Sequence, residues 1–307
     1  GGRQRAQHVH VPDHRHVQPD LVQVAEELER FQPVPADLRD KELGAAGDLT
    51  WFSWWENNGS GGFSGANHIE TSFDDARDIC AARINNDTLT DVIGIGVRDG
   101  VHTVVWWENY GGGSFSGYRT ITGDFHDPAS VSTADIDGDG DMDVLGSAFL
   151  AADIAWWENN GDGGFTRYTV DGNFNSASCA YAADVDGDGD LDILGAGERY
   201  ITWWENLDGS GNFSARTNID SSFAWTGMSY FAKAVYAADL DGDGDTDIIG
   251  AGGSELAWWE NDGSQSFTKH SLSTGYSLPS GVYTSDLDRD GNIDILCATR
   301  NSNKVVW

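Results

Sequence analysis

The chain has 307 residues, with 18 basic against 50 acidic side chains, a formal charge of −32 and 39% hydrophobic residues. That balance disfavours nucleic acid, whose phosphates need a basic footprint, and no apolar run is long enough to insert into a membrane. Cys80, Cys179 and Cys297 are odd in number, widely spaced and without zinc spacing, so they read as small core residues.

Residues 1–35 are an atypical segment, and residues 1–47 hold four of the eight histidines and four of the six prolines. Leu21, Val24, Leu28 and Phe31 would line one face of a short helix behind an Asp20 cap. His8, His10, His14 and His16 form a cluster that reads as part of a tail or propeptide remnant. No signal-peptide apolar core is present.

From residue 36 to 307 the sequence repeats. WWEN begins at Trp54, Trp106, Trp156, Trp203 and Trp258, and Trp307 stands where a sixth copy would begin. Ahead of the later copies lies an acidic loop, DIDGDGDMD at 135–143, DVDGDGDLD at 184–192, DLDGDGDTD at 239–247 and DLDRDGNID at 286–294, with starts 49, 55 and 47 residues apart. A period near 40–50 residues marks a propeller or solenoid array. Each unit reads as four strands. A small apolar strand precedes the loop, a short apolar strand follows it, and a third ends in the Trp pair. After an Asn/Gly-rich hairpin turn, a fourth starts at Phe63, Phe115, Phe165, Phe213 or Phe267. The expected fold is all-β, a β-propeller of six or seven four-stranded blades, the last repeat incomplete. Either an N-terminal strand around Val9–Val11 completes the last blade, or the native protein is longer.

So many carboxylates in one turn repel each other unless a cation sits among them, and alternating oxygen ligands around a glycine suit calcium. The candidate ligands are Asp135, Asp137, Asp139, Asp141 and Asp143, with Asp141 acting through its carbonyl. They recur as Asp184, Asp186, Asp188, Asp190 and Asp192, as Asp239, Asp241, Asp243, Asp245 and Asp247, and as Asp286, Asp288, Asp290, Asn292 and Asp294. Four calcium ions would add +8 to −32 and leave −24. In the second unit Arg83 replaces the first ligand and Thr88 the glycine, which predicts no calcium there. In the first unit the stretch from Asp37 to Gly44 is too short to hold the ion in the same way.

The D-x-D-x-D-G-x-x-D loop, the apolar strand after it and W-W-E-N-x-G together resemble the FG-GAP or VCBS repeat family. That family includes the integrin α-subunit propeller, fungal sugar-binding propellers and propellers of secreted bacterial proteins and polysaccharide lyases. The resemblance implies a calcium-stiffened propeller, usually extracellular, and leaves ligand and activity open.

Function is expected on the face opposite the calcium loops, where the connections vary. Phe73, Phe125, Phe174, Phe223 and Tyr276 recur in the blade-to-blade connections, and Trp225 joins them in the longest. Such rings beside polar groups suit sugar faces, and they also suit latching one blade to the next. His68, His102, His126 and His270 occupy different places in their repeats, so no catalytic residue is assigned. The expected function is lectin-like glycan recognition or adhesion, with cell-surface or matrix protein as the alternative partner and a polysaccharide-degrading enzyme as the third reading. Assembly of several copies stays open.

Overall fold

The computed structural model describes residues 41–45, 50–60, 62–223, 232–274, 279–299 and 304–306. The expected N-terminal helix, the His8–His16 cluster, the Val9–Val11 strand, Trp225, Tyr276 and Trp307 lie outside them.

The described residues contain strands and no helix. Four sheets have four antiparallel strands in chain order. The first is β4 (Asp75–Ala82), β5 (Asp91–Arg98), β6 (Val101–Trp107) and β7 (Arg119–Thr122). The second is β8 (Pro128–Ala134), β9 (Asp143–Ala148), β10 (Asp153–Asn159) and β11 (Phe165–Asp171). The third is β12 (Ala177–Ala183), β13 (Asp192–Gly197), β14 (Tyr200–Trp204) and β15 (Thr217–Asp220). The fourth is β16 (Ala232–Ala238), β17 (Asp247–Gly252), β18 (Glu255–Asn261) and β19 (Phe267–Thr274). Three-stranded sheets flank them: β1 (Lys41–Ala45), β2 (Phe52–Glu56) and β3 (Asn67–Glu70) before, and β20 (Pro279–Ser285), β21 (Asp294–Thr299) and β22 (Lys304–Val306) after. The inner strands β4, β8, β12, β16 and β20 neighbour one another in succession, the arrangement of propeller blades. In the β1–β3 sheet Leu43 pairs with Trp54, as Leu194 of β13 pairs with Trp203. Thus β1 is that blade's second strand, and it holds Leu43 and Gly44.

The expected start of the fourth strand holds for two blades. Phe165 and Phe267 open β11 and β19, whereas Phe63, Phe115 and Phe213 make only isolated bridges to Asn57, Asn109 and Asn206. The difference lies in the next residue. Ser64, Ser116 and Ser214 use Oγ to accept the backbone N–H of Glu56, Glu108 and Glu205 at 2.9–3.0 Å, and the hydroxyl donates to the following carbonyl. A side chain thus takes the place of a ladder bond, and the strand resumes four residues past the Phe. Thr166 and Thr268 instead pair regularly with Glu158 and Glu260.

The cores lie between blades. The second Trp is buried in four pairs, as Trp107, Trp157, Trp204 and Trp259, and Phe125, Phe174 and Phe223 meet the last three edge-on at 5.0, 5.3 and 5.2 Å. Glycine in the second strand makes this possible: a Cβ on Gly195 would sit 2.6 Å from Trp204.

Candidate functional site

Asp91, Asp143, Asp192 and Asp247, each the last residue of its loop, are buried and organise it, while Asp294 is half-buried. Oδ2 of Asp91, Asp143, Asp192 and Asp247 accepts the N–H of Ile84, Ile136, Val185 and Leu240 at 2.9–3.1 Å. Oδ1 of the same residues accepts the N–H of Asn109, Asn159, Asn206 and Asn261, the Asn of each WWEN, at 2.7–2.9 Å. The Asn side chain then reaches the preceding blade: Nδ2 donates to the carbonyl of Ile84 from Asn159, of Ile136 from Asn206 and of Val185 from Asn261, at 2.8, 3.0 and 2.9 Å. Loop and blade junction are therefore one hydrogen-bonded unit. Burial pushes the carboxyl of Asp143 up to about 7 and those of Asp91 and Asp192 to about 6, against the lowering effect of the donated N–H groups.

Four groups of carboxylates converge so that one ligand oxygen from each member lies within 4.8 Å of the others: Asp135, Asp137 and Asp143; Asp184, Asp186 and Asp192; Asp239, Asp241 and Asp247; Asp286, Asp288 and Asp290. Each could hold a cation, and the donor set is all oxygen, as a hard cation requires. Oδ1 of Asp135 is buried and has no hydrogen-bond partner among the described residues, an acceptor that a cation would satisfy. The first aspartate also accepts the glycine N–H five residues on, at 3.0–3.2 Å in all four loops. Asp139, Asp188, Asp243, Asp245, Asp141 and Asp190 stand in the same loops without belonging to the converging sets, as do Asn292 and Asp294 in the last. The carboxylate of Asp141 faces the hairpin turn, where a Cβ on Gly161 would come within 2.3 Å of it.

The second unit keeps the loop's shape with different side chains. Asp91 holds its usual two donors, while Asn85 and Asp87 accept N–H groups two residues on at 3.0 and 2.7 Å. Exposed Arg83 borders a cleft of about 210 Å³, together with Asn85, Asp87, Asp135 and Asp141.

The aromatic candidates need correction. Phe73, Phe125, Phe174 and Phe223 are at most 1% exposed and offer no ring face to a ligand. They pack on the Trp of the next blade, and in three of them a cation closes the other side: Arg167 over Phe125 at 5.7 Å, Arg216 over Phe174 at 5.0 Å and Lys269 over Phe223 at 5.2 Å. Those cations pair with Asp153, Asp171 and Asp220.

A surface constellation that the repeat alignment by Phe obscured stands beside the Glu-Asn turn. The residue across from the first Trp of each pair is Arg119, Tyr168 or His270 in three blades. Tyr168 stacks on Trp156 at 5.0 Å and its hydroxyl donates to Glu158 at 2.9 Å. His270 stacks on Trp258 at 4.5 Å and its Nε2 lies 2.7 Å from Glu260. Arg119 lies over Trp106 at 4.8 Å and pairs with Glu108. All three outer groups are 40–49% exposed. His270 thus holds the repeat position of Arg119 and Tyr168, while His68, His102 and His126 stand elsewhere in theirs, as expected.

The FG-GAP-like repeat matches residues 83–146, 148–195, 184–250 and 239–297. The chain belongs to that family. No curated protein matches it. Among solved structures, an Agrocybe aegerita lectin, described as recognising non-reducing terminal N-acetylglucosamine, aligns with a TM-score of 0.57 at 22% identity, over 84% of this chain and 71% of that one. The NanB sialidase of Streptococcus pneumoniae aligns with a TM-score of 0.57 at 8% identity, over 86% of this chain and 64% of that one. At these identities the FG-GAP chain shares their fold alone.

Proposed function

We propose that this FG-GAP protein is a calcium-stiffened propeller of six or seven blades that works outside the cell as a glycan-binding module, with no catalysis of its own. The observation that carries the reading is the recurrent stack of Trp, outer planar group and Glu in three blades. The stack offers an exposed planar face next to an anchored carboxylate, which matches a sugar's C–H face and its hydroxyls. The frame is constant while the outer group changes from Arg119 to Tyr168 to His270, as expected of related sites with different preferences. Calcium is the ion assigned to the four loops, because it takes many oxygen ligands in flexible geometry, and solvent-facing loops suit a compartment rich in it.

A glycan array probed with the full chain in millimolar calcium tests this, with N-acetylglucosamine-terminated glycans as the first group to inspect. Tyr168→Ala and His270→Ala each expose a Trp face and remove the hydroxyl or imidazole; each is expected to lower binding by roughly 10-fold, the effect of about 1.4 kcal/mol of stacking and hydrogen bonding. Silence across the array with an intact fold would shift the function to protein assembly.

A further inference from the structure

On the far side of the same blades, away from the acidic loops, two histidines meet. His102 is the second residue of β6, next to the β5–β6 turn, and His126 lies in the connection from β7 to β8. Their ring centroids are 4.6 Å apart with the planes tilted by 37°. Neither residue is required by the repeat: the places matching His102 hold Thr50, Ala152, Arg199 and Ser254, and those matching His126 hold Asp74, Asn175 and Ala224.

We propose that His102 and His126 form a two-imidazole site for a divalent metal ion of the zinc type, separate from the four carboxylate loops. Three observations lead there. With metal–nitrogen bonds of about 2.0–2.1 Å, two imidazoles on one ion place their ring centroids roughly 4.5 Å apart at a right angle and about 5.2 Å apart in a tetrahedron, and the observed 4.6 Å lies in that range. Nδ1 of His102 is buried and has no hydrogen-bond partner among the described residues, and in the tautomer protonated at Nε2 it carries an unused lone pair that a metal would take. The connection that carries His126 is braced: Arg77 donates to Asp75 Oδ2 at 2.7 Å, to Asp127 Oδ1 at 2.5 Å and to the Pro128 carbonyl at 3.0 Å.

The donor chemistry separates this site from the loops. Imidazole nitrogen favours zinc, copper and nickel, whereas calcium takes oxygen. Burial, together with the nearby His126 and Arg77, lowers the pKa of His102 and keeps its ring neutral, the form that ligates. Asp127 follows His126 directly, but its Oδ1 accepts from Arg77 and its carboxylate does not converge with the two rings, so water completes the ion's shell. Exposed His126 is the movable member and gives the ion its path in.

The test uses the full chain in millimolar calcium, which keeps the carboxylate loops filled. Crystals grown with zinc chloride are measured at the zinc absorption edge, and calorimetric zinc titrations compare the unaltered chain with His102→Ala, His126→Ala and Asp127→Asn. His8, His10, His14 and His16 are left in place, so whatever they bind is common to all four titrations. The expected result is an anomalous peak between the two rings, loss of one zinc site in either histidine variant, and retention of that site in the Asp127 variant, whose carboxylate stays outside the shell. Because His126 is exposed, His126→Ala should melt like the parent chain in calcium alone. No peak between the rings, or a titration unchanged in His126→Ala, overturns the proposal.

Discussion

Single side chains stitch the inner strands together, and they do so from one repeat position. Asp78, Ser130 and Cys179 each stand five residues before the first loop position, and each bonds the backbone of the next inner strand. Asp78 Oδ2 accepts Val131 N–H at 2.9 Å, Ser130 Oγ accepts Ala180 N–H at 3.1 Å, and Cys179 Sγ donates to the Val235 carbonyl at 3.7 Å. Asp78 is the charged member, and burial pushes its carboxyl up to about 6 despite N–H bonds from Val131 and Ile79. The folded state therefore holds this proton more tightly than the unfolded chain, and stability falls as pH rises from about 4 to 6 and then levels off. Asp78→Asn removes the charge but keeps only one of the two acceptors, setting an NH2 group against the other backbone N–H. Measured against the parent chain, the variant should therefore fare better at pH 7 than below pH 4, by on the order of 1–2 kcal/mol; denaturant unfolding at both pH values would measure the difference.

Among elements, the WWEN turn and the acidic loop act together, since the Asn of one and the last Asp of the other share a bond in four blades. Asn159 shows the cost of removal: its amide donates to Ile84 and Met142 carbonyls and accepts Gly161 N–H, all at or near full burial. Asn159→Ala leaves those groups unsatisfied and should destabilise the chain by about 2–4 kcal/mol in denaturant unfolding. The repeat made both residues visible in the sequence, but not the bond that crosses from one blade to the one before. Conversely, the acidic loops were readable outright, because ligand chemistry there is local to nine residues. The fourth strands were misjudged in three blades because one serine hydroxyl displaces a ladder bond, which moves the strand start without altering the Phe that marks it.

For the whole molecule, four converging acidic clusters in a chain of charge −32 make the folded state costly in self-repulsion until cations bind. Each calcium bound only by the folded form adds stability by mass action, about 2.7 kcal/mol when its concentration is 100 times the dissociation constant. Chelation should therefore lower the melting temperature well beyond a matched change of ionic strength, and elemental analysis should find about four calcium ions per chain. An unchanged melting curve with no calcium found would remove calcium from the loops. Sequence alone determined the repeat, the four-strand unit, the family and the acidic loops, since these depend on neighbours within about ten residues of each other. Only the tertiary structure decided what each exposed group can do. Phe73, Phe125, Phe174 and Phe223 looked available and are sealed between blades, whereas Tyr168 and His270, unmarked by any motif, stand open on their Trp partners. Exposure is set by how one blade lies on the next, and that contact joins residues some fifty positions apart, beyond the reach of a local pattern.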